Sequence, residues 1–252
     1  MNLLTSLRKE LLEQWRTSRL LIVVIVLVVF GLSSPLVAKY TPEMLRLIPG
    51  AEQFAGLVPK PTLLDAVNQY IKNVAQFGIL LALLLSMGAM AVEKDKGTAA
   101  LMLVKPLPRG SFLVAKFLAL ALSFLVAVAL AGLAGYLYTL VLFGPLDGSA
   151  WLNLNAAMWL EMVVYVAITL LFSTLLRSQA AAAGLGLGAI LVISLIEGIP
   201  GIGQAMPGRL VAWGAAPFMG AIVNPWPALV TCLAIILICL LAAWLAFKNQ
   251  EL

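Results

Sequence analysis

The chain has 252 residues, of which 63% are apolar and only 11% charged, and its mean hydropathy is +1.06. A soluble domain needs roughly a quarter of its residues charged to face water, so a water-coated globule is excluded and the chain is read as a set of membrane spans. Sixteen Lys and Arg against eleven Asp and Glu leave a net charge of +5, which in so apolar a chain points to orientation in a bilayer before nucleic acid.

The sequence contains no histidine. That excludes Ser–His and Cys–His nucleophilic sites, HExxH zinc sites and bis-histidine haem. Cys232 and Cys239 share one apolar run, about 10.5 Å apart along a helix and too far for a disulfide. They read as small packing groups, and no metal or cofactor site is expected on this chain.

Residues 1–17 are expected to form an amphipathic helix. Leu4, Leu7, Leu11 and Trp15 share one helical face, while Arg8, Lys9, Glu10, Glu13 and Arg16 lie elsewhere. Such a helix lies in the membrane interface with Trp15 at headgroup depth. Runs of about 20 apolar residues, the length that crosses the hydrocarbon core, fall at about 20–37, 74–92, 117–143, 156–176, 180–196 and 228–247. The expected fold is all-α, with residues 1–252 as a single transmembrane domain of six spans.

In the loop 38–73, Thr41-Pro42-Glu43 reads as a helix start stopped by Pro49-Gly50, and Thr62-x-x-Asp65 as a capping box opening a helix that runs into span two. The loop after span two has charged residues from Glu93 to Lys96, a glycine break, and an apolar insert ended by Pro106 and Pro108. A short apolar helix between two spans cannot hide in water. It must dock on lipid, on the bundle or on another protein.

Span three repeats small residues at Ala115, Ala119, Ser123, Ala127, Ala131 and Gly135, and span five at Ala180, Gly184 and Gly188. Such stripes let helix backbones approach closely. Span four holds one carboxylate, Glu161, about a turn from its expected outer end. From there it can reach the interface; otherwise an intramembrane acid marks an ion pair or a cargo pathway. Residues 197–227 contain five prolines and six glycines around short apolar stretches. Lipid does not tolerate irregular backbone, so a re-entrant or outer-rim element covered by protein is expected. Eleven of the sixteen Lys and Arg fall on the side of the N-terminus, which places both termini in the cytoplasm.

The stretch from span two to span three resembles the signature of ABC-2 type permeases, the membrane subunits of type V ABC exporters, and among them the NosY- and NatB-like group. Glu93, Gly97, Thr98, Pro106, Arg109 and Lys116 stand at its positions, with Leu101 and Met102 in the apolar patch. The resemblance implies that this loop is a coupling helix seated on a separate ABC ATPase subunit. It also implies that ATP and Mg bind that partner, that two permease copies form the exporter, and that span five supplies the dimer seam. The chain itself has no GxxxxGK[ST] phosphate loop, so it is not expected to be an enzyme. The alternatives are a stand-alone secondary transporter or channel, which calls for paired intramembrane charges or repeats, and a membrane anchor subunit.

Overall fold

The computed structural model describes residues 3–47, 59–95 and 109–250. Their regular structure is helical, without a strand among them, and includes six helices long and apolar enough to cross a membrane. The helices are α1 (Leu3–Arg16), α2 (Arg19–Arg46), α3 (Leu63–Ser86), α4 (Ala91–Asp95), α5 (Arg109–Phe143), α6 (Gly148–Leu175), α7 (Gln179–Glu197), α8 (Gly208–Ala215) and α9 (Trp226–Lys248). The six long ones run up and down, so α1, α4 and the end of α9 share one end of the bundle, called here the terminal end.

Polar residues extend the helices past the apolar runs because each finds a partner. Thr62 and Asp65 form the reciprocal capping box of α3. Asp147 caps α6 by accepting from the Ser149 amide and hydroxyl, both at 2.8 Å, and the Ser149 hydrogen bonds hold its carboxylate below the usual range. Gly144, at φ +96, makes the tight turn before it.

One expectation is corrected. Thr41-Pro42-Glu43 does not start a helix, because α2 continues through Pro35 and Pro42 to Arg46. A buried helix tolerates proline where neighbouring groups support the interrupted ladder. Here the hydroxyls just before each proline fold back, Ser34 onto the Phe30 carbonyl and Thr41 onto that of Val37. Lys39 adds a tie from α2 to the Leu142 carbonyl of α5 at 3.1 Å. The expected stop at Pro49-Gly50 lies outside the described residues.

The centre of the bundle is α6, 72% buried over its most apolar window, whereas α7 is only 11% buried and sits at the edge. Close approach is made by small residues, as in lipid it must be. The span-three stripe is buried within the chain: Ala115, Ala119, Ala127 and Ala131 are fully enclosed. A Cβ on Gly31 of α2 would lie 2.6 Å from the Ala131 carbonyl oxygen, and one on Gly135 would lie 2.8 Å from the Tyr70 ring. Tyr70 in turn donates to Asn155 Oδ1 at 2.7 Å, and Trp151 Nε1 donates to the Gly132 carbonyl at 2.9 Å.

The Pro- and Gly-rich segment after α7 folds back as α8, flanked by two short 3-10 turns. It packs on the first turns of α6, where a Cβ on Gly214 would lie 2.6 Å from Leu154 Cα. The Glu197 carboxylate accepts from the Gly208 amide at 2.7 Å, closing the start of α8.

Substituting Gly31→Ala should force α2 and α5 apart and cost about 1–3 kcal/mol, the range for overpacking a tight contact. A clear fall in the thermal unfolding midpoint of the detergent-solubilised protein is the expected reading.

Candidate functional site

The polar residues of α1 occupy two sides, and only one of them meets the protein. Ser6, Glu10 and Gln14, spaced four apart, are buried against α5. Leu7 and Leu11 are half-buried, and Trp15 is exposed. An apolar face turned outward beside a polar face turned inward is what a helix lying on a bundle in lipid requires.

At the centre of that contact is Lys116 of α5, 4% exposed. Its ammonium donates to Glu93 Oε1 at 2.6 Å and to Glu10 Oε2 at 3.0 Å, and lies 4.9 Å from the Phe112 ring centre. One turn along α1, Gln14 Oε1 accepts from the Ser123 hydroxyl of α5. The cluster joins three helices: α1 through Glu10, α4 through Glu93 and α5 through Lys116. Carboxylate oxygens of Glu10, Glu13 and Glu93 lie within 4.8 Å of one another, a grouping that could hold a metal. Lys116 already donates to two of the three, so a cation occupies that position covalently attached to the chain.

The side of α4 away from Lys116 is held by α6. Between Ser86 and Ala91 the helix breaks, and the Met90 and Ala91 amides leave the ladder to donate to Ser173 Oγ, each at 3.0 Å. The next residue, Thr174, gives its carbonyl to Lys94 and, at 3.1 Å, to Gln250 near the chain's end. A five-residue helix is thus pinned on one side by an ion pair and on the other by a serine hydroxyl.

Of the sequence-derived candidates, Glu93 and Lys116 come together. Gly97, Thr98, Leu101, Met102 and Pro106 lie outside the described residues, as does the Arg109 side chain, although Arg109 opens α5. Ala180, Gly184 and Gly188 fall on the exposed side of α7, and nothing lies within 4 Å of a Cβ on Gly184 or Gly188. Glu161 is not near a helix end. It lies thirteen residues into α6, about 20 Å along its axis, and is 5% exposed. The helix starts at Gly148, ahead of the expected start near 156, and Asn155 within the added turns is buried and hydrogen-bonded. Sequence reasoning missed Glu10, Gln14 and Ser173. The four-residue spacing of Ser6, Glu10 and Gln14 was the available signal for the first two; Ser173 left none.

The family model described as ABC-2 family transporter protein matches residues 4–215. The chain is also similar to the uncharacterized transmembrane protein YxlG of Bacillus subtilis (strain 168), at 27% identity over 195 residues that cover 76% of this chain and 75% of that protein.

Removing one partner of a buried ion pair costs about 3–5 kcal/mol. Lys116→Met should therefore destabilise strongly, and adding Glu10→Gln with Glu93→Gln should restore part of the loss in a denaturant titration. Ser173→Ala strands two amides and should cost about 1–3 kcal/mol in the same assay.

Proposed function

This chain belongs to the ABC-2 family of transporter proteins, and from that premise we propose that it is the permease subunit of an ATP-driven exporter in the cell membrane, both termini cytoplasmic. A separate ABC ATPase subunit binds ATP and Mg and hydrolyses the nucleotide. It pushes on the coupling segment that the family resemblance implies, through Gly97, Thr98, Leu101, Met102, Pro106 and Arg109.

The observation that carries this reading is the Lys116 cluster. Glu93 is the third residue before the undescribed loop, and Lys116 lies within two turns after it. Their 2.6 Å contact closes the base of the loop, and Glu10 locks that base to α1. A displaced loop then moves α4, α5 and α1 as one piece. The break at Met87–Met90 lets this piece turn against α3, with Ser173 as the point about which it turns. Alternating access follows when two such halves rock together.

The second permease copy docks on α7 through Ala180, Gly184 and Gly188. The stripe faces away from its own bundle among exposed leucines such as Leu187 and Leu191, as a close helix–helix seam in lipid needs. The segment bearing α8 acts as an outer lid, and Glu161 faces the inside of the bundle, where cargo passes. A channel or secondary transporter would not need the terminal-end cluster to be tied to a cytoplasmic loop.

Affinity purification of the full-length chain from its native membrane should bring down an ABC ATPase. Met102→Asp and Arg109→Ala should each release that ATPase while the chain remains in the membrane; a chain that co-purifies with no nucleotide-hydrolysing protein refutes the reading. At the seam, Gly188→Trp should lower the dimeric fraction, measured by mass photometry, without lowering the yield of folded chain.

A further inference from the structure

Between α5 and α6, at the end of the bundle opposite the terminal end, lies a groove of about 390 Å³. Ala129, Leu133 and Tyr136 of α5 and Trp151, Leu152 and Asn155 of α6 line it. It exists because glycines stand where the two helices face each other. A Cβ on Gly132 would lie 2.6 Å from Asn155 Oδ1, while one on Gly148 would meet only the Tyr136 hydroxyl, at 3.6 Å. The volume lies within the roughly 300–1,000 Å³ of sites that take small ligands.

Two observations say what fills it. The first is position. Leu133 and Leu152 on the rim are exposed, as are Leu130 and Leu137 on the same face of α5. The groove is therefore continuous with the surface that these two spans turn to lipid. The helix that carries the proposed seam, α7, packs on α3 and α6 rather than on α5, so a second copy seated there leaves the groove open.

The second observation is Asn155, 8% exposed at the groove wall. Its Oδ1 accepts from Tyr70, and its Nδ2 donates to the Trp151 carbonyl at 2.9 Å. A primary amide nitrogen carries two hydrogens, and among the described residues the second has no acceptor. Depth selects the acceptor. With 28 residues, α6 is about 42 Å long against a hydrocarbon core of about 30 Å, so when centred it overhangs by about 6 Å at each end. Asn155, seven residues from the first, is about 10 Å in, close to the level where headgroups meet hydrocarbon. In a glycerolipid that is where ester carbonyls join the chains to the headgroup, and where Trp and Tyr are favoured.

We propose that the groove binds an acyl chain of a membrane glycerolipid, with the chain's ester carbonyl accepting from Asn155 Nδ2. An apolar chain gains little by leaving bulk lipid for the leucines, so the Asn155 hydrogen bond supplies the preference over neighbouring lipid. The bound lipid bridges α5 and α6 at the end opposite the termini. The site depends on the membrane spans and not on the permease reading.

The test uses the full-length chain in phosphatidylcholine vesicles containing a small fraction of phosphatidylcholine with a diazirine on one acyl chain. After illumination, attachment is mapped by peptide mass spectrometry. Residues 129–136 and 148–155 should carry more label than Val230 and Leu233, exposed at a similar depth on α9. A second probe joins its chains by ethers and has no carbonyl. It should label α9 equally but the groove about fivefold less, the factor that one hydrogen bond supplies. Ala129→Phe, at an exposed position, should lower groove labelling to the α9 level and leave α9 unchanged. Groove labelling no greater than that of α9, or equal groove labelling by the ester and ether probes, overturns the site. Either result stands whether or not an ATPase co-purifies.

Discussion

A lysine ammonium buried in a membrane-spanning helix is tolerable only if its charge is answered at contact distance, and here two carboxylates from two other helices answer it. Moving a charged group out of water costs several kcal/mol even after relaxation, so Lys116 cannot be separated from both Glu93 and Glu10 without a large penalty. That constraint sets the arrangement of the terminal end. It holds α1 against α5 by its polar stripe, which in turn leaves the leucine face and Trp15 outward. It also fixes α4, only five residues long, which has too few internal hydrogen bonds to hold a position by itself. A short helix needs outside support, and α4 receives it from Lys116 on one side and from Ser173 and Thr174 on the other.

Packing elsewhere follows the rule for helices in lipid. Apolar side chains gain little by leaving lipid for protein, so the contacts are made where side chains are missing. Gly31 meets the Ala131 backbone, Gly135 meets Tyr70, and Gly214 meets the backbone of Leu154. Beside Gly135 two polar ties cross the same packing: Tyr70 reaches Asn155, and Trp151 reaches the Gly132 carbonyl. The result is close packing among α2, α3, α5 and α6, with α7 the least buried span.

Much of this was legible before any coordinates. Length and hydropathy mark six helices because a span must satisfy its own backbone, and that requirement has a fixed length. Thr62 and Asp65 announced a helix start, since a capping box is a local chemical pattern. Glu93 and Lys116 stood out as charges at the edges of apolar runs. The illegible parts are those that depend on a partner distant in sequence. Pro42 reads as a helix start unless α5 is known to lie beside it. The break at Met87–Met90 depends on a hydroxyl more than eighty residues away. Glu161 reads as close to an interface when span four is taken to start near 156, whereas the helix starts at Gly148 and Tyr70 holds Asn155 inside the bundle.

The charged cluster and the Ser173 hydroxyl therefore meet on one short helix, α4. The charged cluster fixes α4 from the side of α5, while Ser173 of α6 holds the two amides at which α4 begins. A hydroxyl has two acceptor lone pairs, and in this arrangement both Met90 and Ala91 use Ser173. If α4 turns, those amides must find other acceptors or return to the ladder of α3, and the Ser173 hydroxyl is released. A local hydrogen-bond exchange of this kind would register a movement of α4 on α6 through Ser173, without any long-range deformation of the bundle. Coupling then requires only that the two states of α4 differ in whether Ser173 is taken, and differential contact of that sort is the condition any linked transport step must meet.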